Sequence, residues 1–174
     1  MTPESCWRLC RECAAQIYTN VSPNQRYQDS TARLLAGTAA TESNLTARRQ
    51  YGYKLDRMDG AWGLWQTEED SVQRGIAQLK ASPALLQRAT DFVYRGDGVI
   101  DAMITAGTQC WLKEIHDNDR MACLFARLHY FRISKPIPFS LPEQAAYYKL
   151  YYNSVHGKGS AAKFMADYNR LLGE

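Results

Sequence analysis

No stretch of this 174-residue chain approaches the about twenty consecutive apolar residues that a membrane-spanning helix needs, so no membrane span is expected. The first residues, MTPESCWRLCRECAAQ, carry acids and arginines where a secretory leader has a continuous apolar core, which points to synthesis in the cytoplasm without a signal peptide. Lysine and arginine never gather into a dense run. A nucleic-acid-binding helical module therefore has only the basic last third behind it, where residues 123–174 hold seven Lys/Arg against three Asp/Glu and the whole chain has a net charge of +3. No nucleic-acid partner is expected from so sparse a pattern. Five cysteines, an odd number, argue for reduced thiols rather than a disulfide scaffold. No histidine lies near Cys6, Cys10 and Cys13, so their spacing of four and three reads as a buried helix face, and no metal or cofactor is expected. Repeats and low-complexity tracts are also missing, and residues 1–174 read as a single domain.

What is present is ordinary globular material: 45% of residues are apolar and 22% charged, which excludes disorder and suffices for one core. Helical periodicity covers residues 3–19, a segment capped by Asp29 or Ser30 and stopped near Asn44, and then 67–81, 83–94, 98–116, 118–133, 142–155 and 160–172. Residues 22–28 read as a turn, and Lys135–Pro142, with three prolines, as an extended connector. Between residues 46 and 66 the helical period fails. Arg48–Tyr53 and Ala61–Gln66 read there as two short strands separated by Asp56, Asp59 and Gly60. The expected class is therefore α+β, predominantly helical, with a small β-hairpin.

The stretch AATESNL, residues 39–45, sets one glutamate at the end of an alanine- and leucine-rich helix. Glu42 shares a helical face with Leu35 and Ala39, the face that packs inward. Desolvation and the negative end of the helix dipole both oppose its ionised form, which is the profile of a general acid. The bland alternative is a glutamate fraying into solvent at a helix end. A second stretch, GAWGLWQTEED at residues 60–70, places an amide beyond two large apolar groups, and Gly60 and Gly63 leave room for another chain, or a ligand, to approach the backbone.

Taken together, Glu42-Ser43 closing a helix and the later Gly63-Leu64-Trp65-Gln66 resemble the soluble lytic transglycosylases and the goose-type lysozymes, over residues 36–70. The resemblance implies a lysozyme-like fold, the glycan strands of peptidoglycan as substrate, and Glu42 as the catalytic acid. It also implies a Tyr-Asn pair on a late helix whose tyrosine points at the glutamate. Tyr152-Asn153 matches best and Tyr168-Asn169 is the rival, while Tyr148 and Tyr152 at i, i+4 read equally well as core packing. Ser43, Tyr51, Gly63, Trp65, Gln66, Tyr152 and Asn153 form the candidate substrate-binding set, with Trp65 and Gln66 expected to bind the glycan rather than fill the core. A hydrolase needs a second carboxylate to direct water, and Asp56, Asp59 and Glu68 are available. Turn chemistry and helix-terminus electrostatics also account for those three acids. In lytic transglycosylases the same glutamate acts as acid and then base, and the C6 hydroxyl of muramic acid closes an anhydro ring.

The function expected is cleavage of the MurNAc–GlcNAc backbone of peptidoglycan. A wall-cutting enzyme without its own export route looks like a bacteriophage product, reaching the periplasm after lysis release or virion delivery, with other virion proteins as further partners. The competing expectation is a structural virion protein that keeps the scaffold without catalysis.

Overall fold

The computed structural model describes residues 1–18, 24–48, 60–94, 100, 103–104, 107–153 and 159–173. Its organising element is α2, Gln25–Ser43. Almost every side chain of α2 from Ser30 to Thr41 is buried, and a helix apolar on all sides must be wrapped by others. Small residues make that possible. A Cβ on Gly37 would lie 2.2 Å from Cζ of Phe164, so glycine is what lets another helix cross here. The buried hydroxyls of Thr38, Thr41 and Ser43 donate to the carbonyls one turn back, at 2.8, 2.8 and 2.9 Å, and so cost no unpaired donor.

The wrapping helices are α1 (Pro3–Gln16), α3 (Glu69–Ala81), α4 (Pro83–Tyr94), α5 (Thr108–Asp117), α6 (Asp119–Phe131), α7 (Leu141–Tyr151) and α8 (Ala161–Leu172). Helices α1 and α8 lie most extensively against α2, while α3, α4 and α5 gather around α6. The sequence signals for many of these boundaries are local. Thr2, Asn118, Ser140 and Ser160 cap helix starts with their side chains, and Pro83 opens α4. No helix among the described residues is long and apolar enough to cross a membrane. Cys6, Cys10 and Cys13 do line a buried face of α1, and Cys123 of α6 meets them there. Burial pushes the thiols of Cys10, Cys13 and Cys123 well up.

Two expectations need correction. Helix α2 begins at Gln25, inside the expected turn, because Asn24 rather than Asp29 or Ser30 caps it, its side chain accepting from the Tyr27 N–H at 2.9 Å. More consequentially, the α+β class is overturned: the regular structure of the described residues is all helical, with no strand or sheet. Residues 49–59, which include most of the first expected strand together with Tyr51, Asp56 and Asp59, lie outside the described residues. Ala61–Gln66 is a turn. Gly60, Gly63 and Gln66 have φ of 82°, 70° and 48°, so the chain reverses instead of extending. Among the described residues it makes one antiparallel bridge, in which Trp62 and Thr67 exchange hydrogen bonds of 2.9 and 2.8 Å, and Gly63 N–H donates to the Arg48 carbonyl at 2.9 Å. The consecutive side chains Leu64 and Trp65 are both fully buried, whereas successive residues of a strand point to opposite faces.

Candidate functional site

Helix α2 ends where its residues change character. Asn44 and Leu45 take left-handed φ of 52° and 59°, and Glu42 stands in the last turn, partly buried. Four other elements face this turn: the end of α7 with Tyr148, the residues after it with Asn153, the start of α8 with Lys163, and Glu68 just before α3. Tyr148 donates its hydroxyl to Glu42 Oε1 at 2.6 Å. Its own position is set by packing, since the ring is fully buried between Phe164, 5.0 Å away, and Tyr152, 6.2 Å away and stacked. Gly159 closes in on the same spot: a Cβ there would sit 2.5 Å from the Tyr148 hydroxyl and 2.8 Å from Asn153 Nδ2.

The electrostatics follow from that enclosure. Burial raises the Glu42 carboxyl above the ordinary glutamate value, and the negative charge of Glu68 adds to the rise. Hydrogen bonding from Tyr148 and Asn153 and the charge of Lys163 pull the other way, without cancelling it. Tyr148 is itself pushed far up by burial and by its carboxylate neighbour, so it is a donor and not a proton source. The turn therefore carries a carboxylic acid that keeps its proton to higher pH than a solvated one and is held in one orientation by a neutral hydroxyl.

The expected site residues divide sharply. Glu42, Asn153 and Glu68 come together. Tyr152 does not take the expected role, because α7 has ended by Tyr151 and Tyr152 turns its hydroxyl to the Trp65 carbonyl at 2.8 Å; the tyrosine on the glutamate is Tyr148, one turn earlier. Tyr168, of the rival pair, packs edge-on against Trp7 of α1. Ser43 is buried and bonded to Ala39. Gly63 is required by packing, since a Cβ would lie 2.8 Å from the Ile115 carbonyl and 2.9 Å from Ala122. Trp65 is a core residue, fully buried, its indole N–H donating to Leu35 O at 2.8 Å. Gln66 spends its amide on the carbonyls of Gly63 and Ala47, at 2.8 and 3.2 Å, holding a non-glycine residue at positive φ. The Gly-Leu-Trp-Gln stretch thus joins α2 to the α5–α6 corner and accepts the Tyr152 hydroxyl. The basic last third is not one open face either: Arg127 is buried over the Phe131 ring, and Lys163 and Arg170 both pair with Asp167.

Tyr148 and Lys163 are the residues that sequence reasoning passes over. The signal for Tyr148 is its i, i+4 spacing from Tyr152, a spacing that core packing also produces; Lys163 has none, being one lysine on an amphipathic helix. No family model matches the chain, and neither a curated protein nor a solved structure does.

Proposed function

We propose that this protein is a glycoside-cleaving enzyme working by general acid–base catalysis, and that its substrate is the MurNAc–GlcNAc backbone of peptidoglycan. The observation that carries the first part is the Glu42 carboxyl, raised by burial and oriented by Tyr148 at 2.6 Å. Protonating a glycosidic oxygen near neutral pH needs such an acid. The second part rests on the resemblance of Glu42-Ser43 and Gly63-Leu64-Trp65-Gln66 to the lytic transglycosylases and goose-type lysozymes.

In this reading protonated Glu42 gives its proton to the leaving oxygen as the glycosidic bond breaks. The resulting carboxylate is held by Tyr148 and Asn153 and then takes a proton from the incoming nucleophile. If that nucleophile is the C6 hydroxyl of muramic acid, the product is an anhydro sugar; if it is water, the product has a reducing end. Among the described residues Glu68 is the expected second carboxylate that faces Glu42, exposed at the start of α3. With the tyrosine and amide supplied by the chain itself, we favour the anhydro product. The test is digestion of purified peptidoglycan with mass spectrometry of the fragments. Anhydromuramyl ends support the reading, reducing muramic acid ends assign a hydrolase with Glu68 directing water, and no fragmentation by folded protein rejects an enzyme acting on this substrate.

A further inference from the structure

The cations of α8 converge on the end of α2. Lys163 Nζ donates to the carbonyl of Thr41, the residue before Glu42, at 2.6 Å, and to Asp167 Oδ2 at 2.6 Å. Arg170 reaches Asn44, the residue that ends α2, at 2.7 Å and Asp167 Oδ1 at 2.7 Å. One carboxylate thus ties two cations that each grip α2 on either side of Glu42. Neighbouring Phe164 is seated on Gly37 of α2, which fixes this part of α8 against α2. Carbonyls in the last turn of a helix carry partial negative charge and lack intrahelical donors, and a lysine there satisfies both needs.

We propose that Lys163 is a positioning residue for Glu42, clamping the last turn of α2 through Thr41 and setting an ammonium beside the carboxylate, with Asp167 balancing the strength of that charge. The proposal rests on the reading of Glu42 as the acid. Its physical content is a balance between groups from every side: Tyr148 and Asn153 from α7 and its end, Glu68 ahead of α3, Tyr130 of α6 and Tyr152 beyond, and Lys163 from α8. Of these, Lys163 is the cation whose charge is felt at Glu42, and it favours the ionised form. Burial works against the charge of Asp167, yet Arg170 and Lys163 together hold its carboxyl below the ordinary value, so it stays ionised and offsets part of the Lys163 charge. Lys163 therefore keeps Glu42 from being so strongly protonated that it could not act as the base in the second half of the reaction.

The opposed signs of the two partners make the test. The Glu42 carboxyl carbon is followed by carbon-13 NMR against pH in the wild type, Lys163→Met, Lys163→Arg and Asp167→Asn, with Glu42→Gln identifying the signal. The midpoint is expected to rise in Lys163→Met, fall in Asp167→Asn and stay near the wild-type value in Lys163→Arg, and the alkaline limb of the activity profile should move with it. A general loosening of α8 would shift Lys163→Met and Asp167→Asn in the same direction. That result, or an unmoved midpoint in Lys163→Met, overturns the proposal. Should Lys163→Met fail to fold, a midpoint that does not fall in Asp167→Asn overturns it equally. Failure of the enzymatic reading is separate, since wild-type protein would then leave peptidoglycan intact while the carboxyl titration remained readable.

Discussion

Gln144 and Tyr148, one turn apart on α7, both reach α2, and they meet it with opposite chemistry. Gln144 is fully buried and donates to the backbone carbonyls of Ser30 and Pro138 and to the Ser30 hydroxyl oxygen, each at 2.9 Å, while Ser30 also donates to Pro138. Every member of that contact is neutral, so it holds α7, α2 and the proline connector together at any pH. Tyr148 instead meets an ionisable, partly exposed carboxylate. The same pair of helices thus carries one contact indifferent to protons and one that depends on them. Proton-independent and proton-dependent contacts fall on different turns of the same helix.

The sharpest way to break this comparison is to remove each partner in turn. Glu42→Gln should fold and lose peptidoglycan turnover by about a hundred- to ten-thousand-fold, the range expected for a general acid. Gln144→Leu should keep its activity per folded molecule and lose about 1 kcal/mol in stability through loss of the Nε2 donor, since the Pro138 carbonyl keeps its hydrogen bond from the Ser30 hydroxyl. Turnover and chemical denaturation on the same preparations check both, and equal losses of specific activity would erase the distinction.

A third contact of α7 supplies a proton-dependent effect of structural origin. His129 of α6 is buried, bonded through Nε2 to the Tyr151 carbonyl at 2.6 Å and through Nδ1 to Ser71 at 3.0 Å. Burial lowers its imidazole from 6.5 to about 4, with Arg132 and Arg74 adding to the fall. A lowered folded value means the stabilisation is whole above the unfolded pKa and is lost as pH falls through the folded one. Unfolding free energy should therefore drop on acidification from about 6.5 to about 4, by on the order of 3 kcal/mol, and His129→Gln should flatten the drop. Denaturant melts across that window measure it.

Gly37 sharpens the comparison from the packing side. Gly37→Ala puts a methyl group into the Phe164 ring and should cost about 1–3 kcal/mol, partly recovered by adding Phe164→Leu; a neutral effect in thermal melts would show that α8 can slide on α2.

The smallest effect has the opposite pH sense to that of His129. Because Glu42 is raised in the folded state, its ionised form disfavours folding: its contribution is whole below the unfolded glutamate pKa and is lost as pH rises through the folded value. Glu42→Gln should accordingly melt higher than the wild type at neutral pH, the gap closing as pH falls below the ordinary glutamate range. A gap independent of pH would mean that the carboxyl titrates as if solvated.

The sequence by itself determined the features written in short stretches. A cap or a proline acts on residues within one turn of itself, so the start of α4 at Pro83, the end of α2 at Asn44 and the extended run before Leu141 were all legible. So was Glu42, because a helix face and a helix end are both local properties. Tertiary structure decided the rest. The pattern from Ala61 to Gln66 alternates like a strand, but its shape comes from Gly63 pressed against α5 and α6 and from Trp65 bonded to α2, contacts that no local pattern carries. Which tyrosine meets Glu42 depends on where α7 stops and how it crosses α2, and adjacency to Asn153 favoured the wrong one. Lys163 stands more than a hundred residues from Thr41 in the chain and 2.6 Å from its carbonyl in space. Its effect on the carboxyl belongs to the packing of α8 on Gly37, because the field of a charge depends on distance and burial and not on order along the chain.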